Sequence, residues 1–156
     1  MPTKIIRDPA HIDALARLLA ARKLPLTVSW SQGASRAEAQ NSLSHRWYAD
    51  IARQLGDVTH ADVRADCKVT FGVPILSAEN DAFRQGWRST FAPLGYEAVR
   101  AAVKALDVPV TRLMTVKQMT AYLDAMSAHW RSAGVFLTDP EAVRYEAEFG
   151  PVAGAA

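Results

Sequence analysis

Cysteine is nearly missing: Cys67 is the only one in 156 residues. A lone thiol forms no intramolecular disulfide, and nothing around Cys67 makes a metal-binding spacing with it. Long apolar runs are missing too. No window approaches the roughly 18 apolar residues of a membrane-spanning helix, and the opening "MPTKIIRDPAHIDA" lacks the apolar stretch of a signal peptide. These absences predict a cytoplasmic protein in a reducing compartment. There is no glycine-rich phosphate loop, no paired-cysteine motif and no G-x-S-x-G. No catalytic residue, metal or cofactor is therefore expected. Internal repeats and low-complexity blocks are also lacking.

What is present has the balance of a soluble globular chain, with 49% apolar and 22% charged residues. The length suits one domain over 1–150, with a frayed tail over 151–156. The formal net charge is only +2, but it is unevenly spread. Residues 1–56 and 83–117 each carry a net +4, while 118–156 carry a net −3. A basic body with an acidic end is compatible with a polyanionic partner, and equally with uneven surface charge.

Periodicity gives the elements. "TKIIR" (3–7) reads as a strand. Asp8 before Pro9 reads as an N-cap and first helical residue, opening a helix over 9–23. "LPLTVSWS" alternates Leu26, Val28 and Trp30 with polar residues, the pattern of a half-buried strand. Strand, helix and strand would make a βαβ unit. Ser35 with Glu38 forms a capping box for a helix over 36–55, which stops at Gly56. Its apolar face is Leu43, Trp47 and Ile51. Thr59 caps a helix over 60–70 with Val63, Cys67 and Phe71 on one stripe. "GVPIL" (72–76) reads as a loop or short extended piece, and Ser77 as the cap of a helix reaching about 91. A helix over 96–106, an extended "VPVTRLMT", a capped helix over 116–132 and a short helix from Pro140 to about 149 follow. The expectation is α+β: mainly helical, with a small N-terminal sheet.

Several residues could carry chemistry. Asp57, His60, Asp62 and Asp66 cluster in sequence, and with Asp50 they suggest a divalent-metal nuclease or junction resolvase, although their spacing defines no metal geometry. His45 and Cys67 could pair as base and nucleophile, yet Cys67 falls on an apolar stripe and reads as a structural thiol. Arg84, Trp87 and Arg88 interleave charge with an aromatic ring, the composition of a single-strand groove. A stripe of Phe83, Trp87 and Phe91 is also how a core looks; Trp87 fits either role. On the long helix, Arg36, Gln40, Asn41 and His45 crowd the first turns. Their side chains could hold the neighbouring chain or a ligand.

"SRAEAQNSLSHRWYADIARQLG" (35–56) resembles the R-x₃-QN helix of the NinB (lambda Orf-like) family of phage recombination proteins. Arg36, Gln40, Asn41 and the run Asp50–Gln54 carry the likeness, and Lys68 stands where the family tends to have a lysine. "TRLMTVKQMTAYLDAMSAHWRSAGVFLTDPEA" (111–142) resembles the family's C-terminal part. The family's tryptophan after Gln-Asn is replaced in register by His45, with Trp47 two places on. The resemblance implies a homodimer that binds single-stranded DNA and mediates recombination, helping a recombinase load on strands covered by the host single-stranded-DNA-binding protein. Arg36, Arg46, Arg84, Arg88, Arg100, Lys104 and Lys117 are then candidate phosphate contacts, and Trp87 is a candidate stacking platform. Gln40, Asn41 and His45 would line the same groove. The rival readings are the metal-dependent nuclease and a protein-only adaptor whose basic 83–117 region receives an acidic tail of the host single-stranded-DNA-binding protein.

Overall fold

The structure, a computed structural model, describes residues 4, 6, 8–30 and 36–143. The chain forms two compact units, Met1–Gly33 and Ala34–Ala156. In the first, α1 (Pro9–Ala20) starts as its sequence dictates: the Asp8 side chain accepts the His11 backbone N–H at 3.2 Å, and Pro9 occupies the first turn. Proline there gives up only an N–H that has no helical partner.

The expected N-terminal sheet does not form, and the α+β class is corrected to mainly helical. Among the described residues there is no strand. Residues 24–30 keep their alternation but adopt no regular structure, and Trp30 is 90% exposed. The physical reason is that a strand is not self-sufficient. Its backbone groups need a ladder on a neighbour, and isolated pairs are marginal in water. Lys4 and Ile6, the described part of the other candidate strand, are likewise not in one. Pro25 further removes a ladder donor.

The second unit contains six α-helices among its described residues: α2 (Arg36–Leu55), α3 (His60–Cys67), α4 (Val73–Glu79), α5 (Asp81–Phe91), α6 (Tyr96–Leu106) and α7 (Val116–Ser132). Gly56 stops α2 with φ of 82°, a left-handed conformation that glycine adopts without a Cβ penalty. Thr59 and Thr115 each close a reciprocal capping box, with Asp62 and Gln118 respectively. The Ser35 cap, the 144–149 part of the last helix and the 151–156 tail lie outside the described residues; residues 140–143 are helical.

"GVPIL" is helical rather than loop. Between α3 and α4 the backbone runs through a π-helical turn, Lys68–Gly72, in which the Val73 N–H reaches back to the Lys68 carbonyl. Pro74 explains the widening: it has no N–H to give, and its ring would strike the carbonyl four residues earlier in a regular helix. Ser77 consequently lies inside α4, and Asn80 caps α5 by accepting the Phe83 N–H at 2.9 Å. "VPVTRLMT" contains a short 3₁₀ turn, Thr111–Leu113.

The main core joins α2, α3 and α7 with the extended segment after α7. Trp47, Tyr48, Ile51, Val63, Cys67, Tyr122 and Met126 are buried in it, with Val135 and Leu137 closing one end. Burial pushes the Cys67 thiol up to about 12, so it stays protonated and serves as packing. A second cluster, Ala65, Val99 and Val103, seals α3 against α6, with Trp87 and Phe91 packed on it.

Gly72 is the tightest point: an added Cβ would lie 2.8 Å from Val110 Cγ1, and Val110 is fully buried. Overpacking of that kind costs roughly 1–3 kcal/mol, against at most ~1 kcal/mol that alanine gains in a helix. Gly72→Ala should therefore lower the urea midpoint with an unchanged m-value. A variant as stable as the parent would show that α4 and Val110 can move apart freely.

Candidate anion-binding site

His60 and Arg64 on α3, and Lys68 opening the π turn that continues it, follow at i, i+4 and i+8, so they form one row. The row faces α6, which Ala65 (buried, no larger than a methyl) lets approach closely. Lys68 is the unusual member, because its side chain is only 2% exposed. A buried ammonium must be paired and hydrogen-bonded to remain charged. Its Nζ donates to Asp107 Oδ1 at 2.9 Å and to the Val108 carbonyl at 3.0 Å. Burial nevertheless lowers the Lys68 pKa, opposed mainly by the Asp107 bond.

Asp107 can reach because it ends α6 in the left-handed conformation, φ 45° and ψ 51°, which aspartate tolerates better than most residues. The same carboxylate accepts from Arg64 Nη1 at 2.5 Å and lies 3.8 Å from Arg112. The bonds from Lys68 and Arg64 hold its pKa down at about 2. One turn away, Lys104 donates to Asp62 Oδ1 at 2.7 Å, and together with the Thr59 bonds this depresses the Asp62 pKa well below the usual carboxylate range.

Beside these ion pairs lies a pocket of about 120 Å³. Arg64, Lys68 and Lys104 line it, Ala65 and Val103 give it an apolar wall, and His45 from α2 meets His60 across it. The two imidazoles stack at 5.4 Å between centroids and 7° between planes, with His45 Nδ1 3.4 Å from His60 Nε2. Tyr48 packs edge-on against both. Burial, then the neighbouring His60, Arg64 and Lys68, lower the His45 pKa; Asp107 opposes them. Three cations (Arg64, Lys68, Lys104) thus line the pocket and pair with two carboxylates (Asp62, Asp107), while Arg112 joins the Asp107 cluster outside the lining. An anion is what such a site can hold.

Of the residues singled out in the sequence, His45, His60, Lys68 and Lys104 line this pocket. Gln40 is buried and donates to the Thr120 hydroxyl at 2.8 Å and the Val116 carbonyl at 3.3 Å, tying α2 to α7. Asn41 is exposed, as are Arg36, Arg88 and Lys117. Arg46 is exposed and reaches Thr138 at 3.4 Å. Arg84 bridges Asp81 and the Ser77 carbonyl, and Arg100 pairs with Glu97. Trp87 is half-buried between Phe83 and Phe91, 4.4 Å from the latter ring. The "DIARQ" run is structural. Buried Asp50 accepts from the Thr138 N–H and hydroxyl at 2.7 and 2.6 Å, and Gln54 exchanges two bonds with the Phe136 backbone.

The acids of the nuclease reading do not converge. Asp50 and Asp62 are engaged as described, and Asp66 accepts from the Tyr96 hydroxyl. Among the described residues no group of three or more His, Cys, Asp or Glu is arranged to hold a metal ion. Nor is any helix there long and apolar enough to cross a membrane. The acids of 57–66 and His60 suggest a metal in the sequence, and Arg64 between them goes unremarked. The spacing His60-x₃-Arg64-x₃-Lys68 was the available signal for it; nothing local pointed to Asp107.

Two predictions follow from this geometry. Gln40→Ala should cost about 1–3 kcal/mol, the penalty for unmade buried hydrogen bonds, whereas Asn41→Ala should stay within about 0.5 kcal/mol; paired urea titrations check this. For His45, the unfolded imidazole takes up a proton near pH 6.5 and the folded one only at lower pH. Stability should therefore fall as pH drops through about 6.5, levelling once the folded group also titrates. Urea midpoints from about pH 7.5 to about pH 5.5 should show a shallower fall in His45→Gln; an equally steep one would assign the effect to another group.

No protein-family model matches the chain, and neither a curated protein nor a solved structure matches it.

Proposed function

We propose that this protein binds single-stranded DNA without strong sequence preference and acts as a phage or prophage recombination mediator of the NinB type. In this reading it is a cytoplasmic homodimer that helps a recombinase load on strands covered by the host single-stranded-DNA-binding protein, and it performs no catalytic step. The observation supporting DNA binding is the cation excess at the α3–α6 pocket, three basic side chains paired with two carboxylates. A phosphate entering there meets positive charge beside the apolar wall of Ala65 and Val103, where attraction is stronger than in open water. The mediator role rests on the likeness of 35–56 and 111–142 to the NinB family.

The remaining candidate cations divide into two kinds. Arg36, Arg46, Arg88 and Lys117 are exposed and can track a phosphate chain. Arg84 and Arg100 are held by Asp81 and Glu97, surface pairs of small energy that a phosphate can exchange with. Gln40 supports the scaffold and Trp87 the packing of α5, so stacking on Trp87 is not needed for binding.

Fluorescence anisotropy with a labelled oligothymidylate, titrated with salt, tests the reading. Affinity should fall steeply, with about 0.7 counterions released per neutralised phosphate. Lys104→Gln should reduce the log–log slope by about 0.7 while the protein stays folded. Failure of the folded protein to bind at low salt contradicts DNA binding.

A further inference from the structure

We propose, resting on the DNA-binding reading above, that the α3–α6 pocket receives the terminal phosphomonoester of a DNA strand in preference to an internal diester. Shape is the first argument. An internal phosphate has two sugar substituents leaving in different directions and suits an open groove. A terminal phosphate has one, and can place its remaining oxygens inside a concavity. The pocket, about 120 Å³ and lined from α2, α3, the π turn and α6, is such a concavity.

Charge is the second. A phosphomonoester carries about −1.5 to −2 near neutral pH, whereas a diester carries about one negative charge. The three lining cations, Arg64, Lys68 and Lys104, exceed by one the two carboxylates that they pair with, and the second charge of a monoester strengthens its attraction to them over that of a diester.

Donor geometry is the third. Arg64 has N–H groups beyond the one that holds Asp107, and Lys104 has ammonium protons beyond the one on Asp62. Lys68 donates to Asp107 and Val108 and retains one further proton. The stacked imidazoles of His45 and His60 stand at the same cavity with ring nitrogens able to donate. Several donors of different elements therefore converge on one small volume, which a terminal phosphate with three unesterified oxygens can satisfy at once.

The test compares three oligothymidylates of equal length, bearing a 5′-phosphate, a 3′-phosphate or hydroxyls at both ends, by anisotropy with an internal label. At least one phosphorylated strand should bind roughly tenfold more tightly than the hydroxyl strand, the effect of one good charge-assisted contact. The advantage should vanish in Lys104→Gln and in Arg64→Gln and return in Lys104→Arg. Lys104 is exposed, so its variants fold whatever Arg64→Gln does. Equal affinity for all three strands overturns the end preference and leaves DNA binding standing. Binding of none by the folded protein overturns both readings. An advantage undiminished in Lys104→Gln overturns the assignment to this pocket. Thymidine monophosphate that competes mole for mole with the phosphorylated strand overturns the strand end as ligand in favour of a free nucleotide.

Discussion

An ammonium taken out of water between two helices has to be answered by a carboxylate and a carbonyl, and the geometry around Lys68 follows from that requirement. Asp107 provides the carboxylate only because α6 ends on it in a left-handed turn, which also brings the Val108 carbonyl within 3.0 Å. Arg64, one turn before Lys68, shares the same carboxylate. The ion cluster therefore fixes the distance and register of α3 against α6, while Ala65, Val99 and Val103 supply the apolar contact beneath it. Replacing only one partner of such a cluster leaves a buried charge uncompensated, which is why clusters of this kind hold a geometry more firmly than they add stability.

The π turn belongs to the same arrangement. Pro74 forces the widening, and the widened turn begins at Lys68 and ends at Gly72, whose missing Cβ admits Val110. From the other side, α2 delivers His45 to the pocket because its lower half is clamped in place. Gln40 ties it to α7, the Tyr48 and Tyr122 hydroxyls share a buried bond of 2.7 Å, and Asp50 and Gln54 lace it to residues 136–138. The polar residues of this helix thus divide by partner: Gln40, Asp50 and Gln54 hold neighbouring chain, and His45, partly buried, faces the cavity.

Helix positions were legible wherever a period and a cap coincided. Asp8–Pro9, Thr59 with Asp62, Thr115 with Gln118, and Gly56 all act as their residue types dictate. Over the described residues 24–30 the strand reading failed because alternation reports which side chains could share a face, and says nothing of whether a ladder partner exists. The loop reading of 72–76 failed because a helix can absorb Pro74 by widening one turn, which a short sequence window does not show. Of the site, His45, Lys68 and Lys104 are named in the sequence through the family likeness and the charge pattern, and His60 as a candidate metal ligand. Arg64 was visible only as a member of the row and was masked by the acids around it. Asp107 depends on a tertiary contact 39 residues from Lys68, which no local pattern encodes. Gln40 looked like a ligand contact because a buried amide and a binding amide have the same sequence signature.

The account stands on the pocket between α3 and α6 being where phosphate is held. An NMR titration of the folded protein with a 5′-phosphorylated oligothymidylate reads this directly through the imidazole resonances of His45 and His60. The account predicts that both move together and saturate with the binding curve. If both stay fixed while resonances of the exposed arginines on α5 shift, phosphate is held elsewhere and the account is wrong.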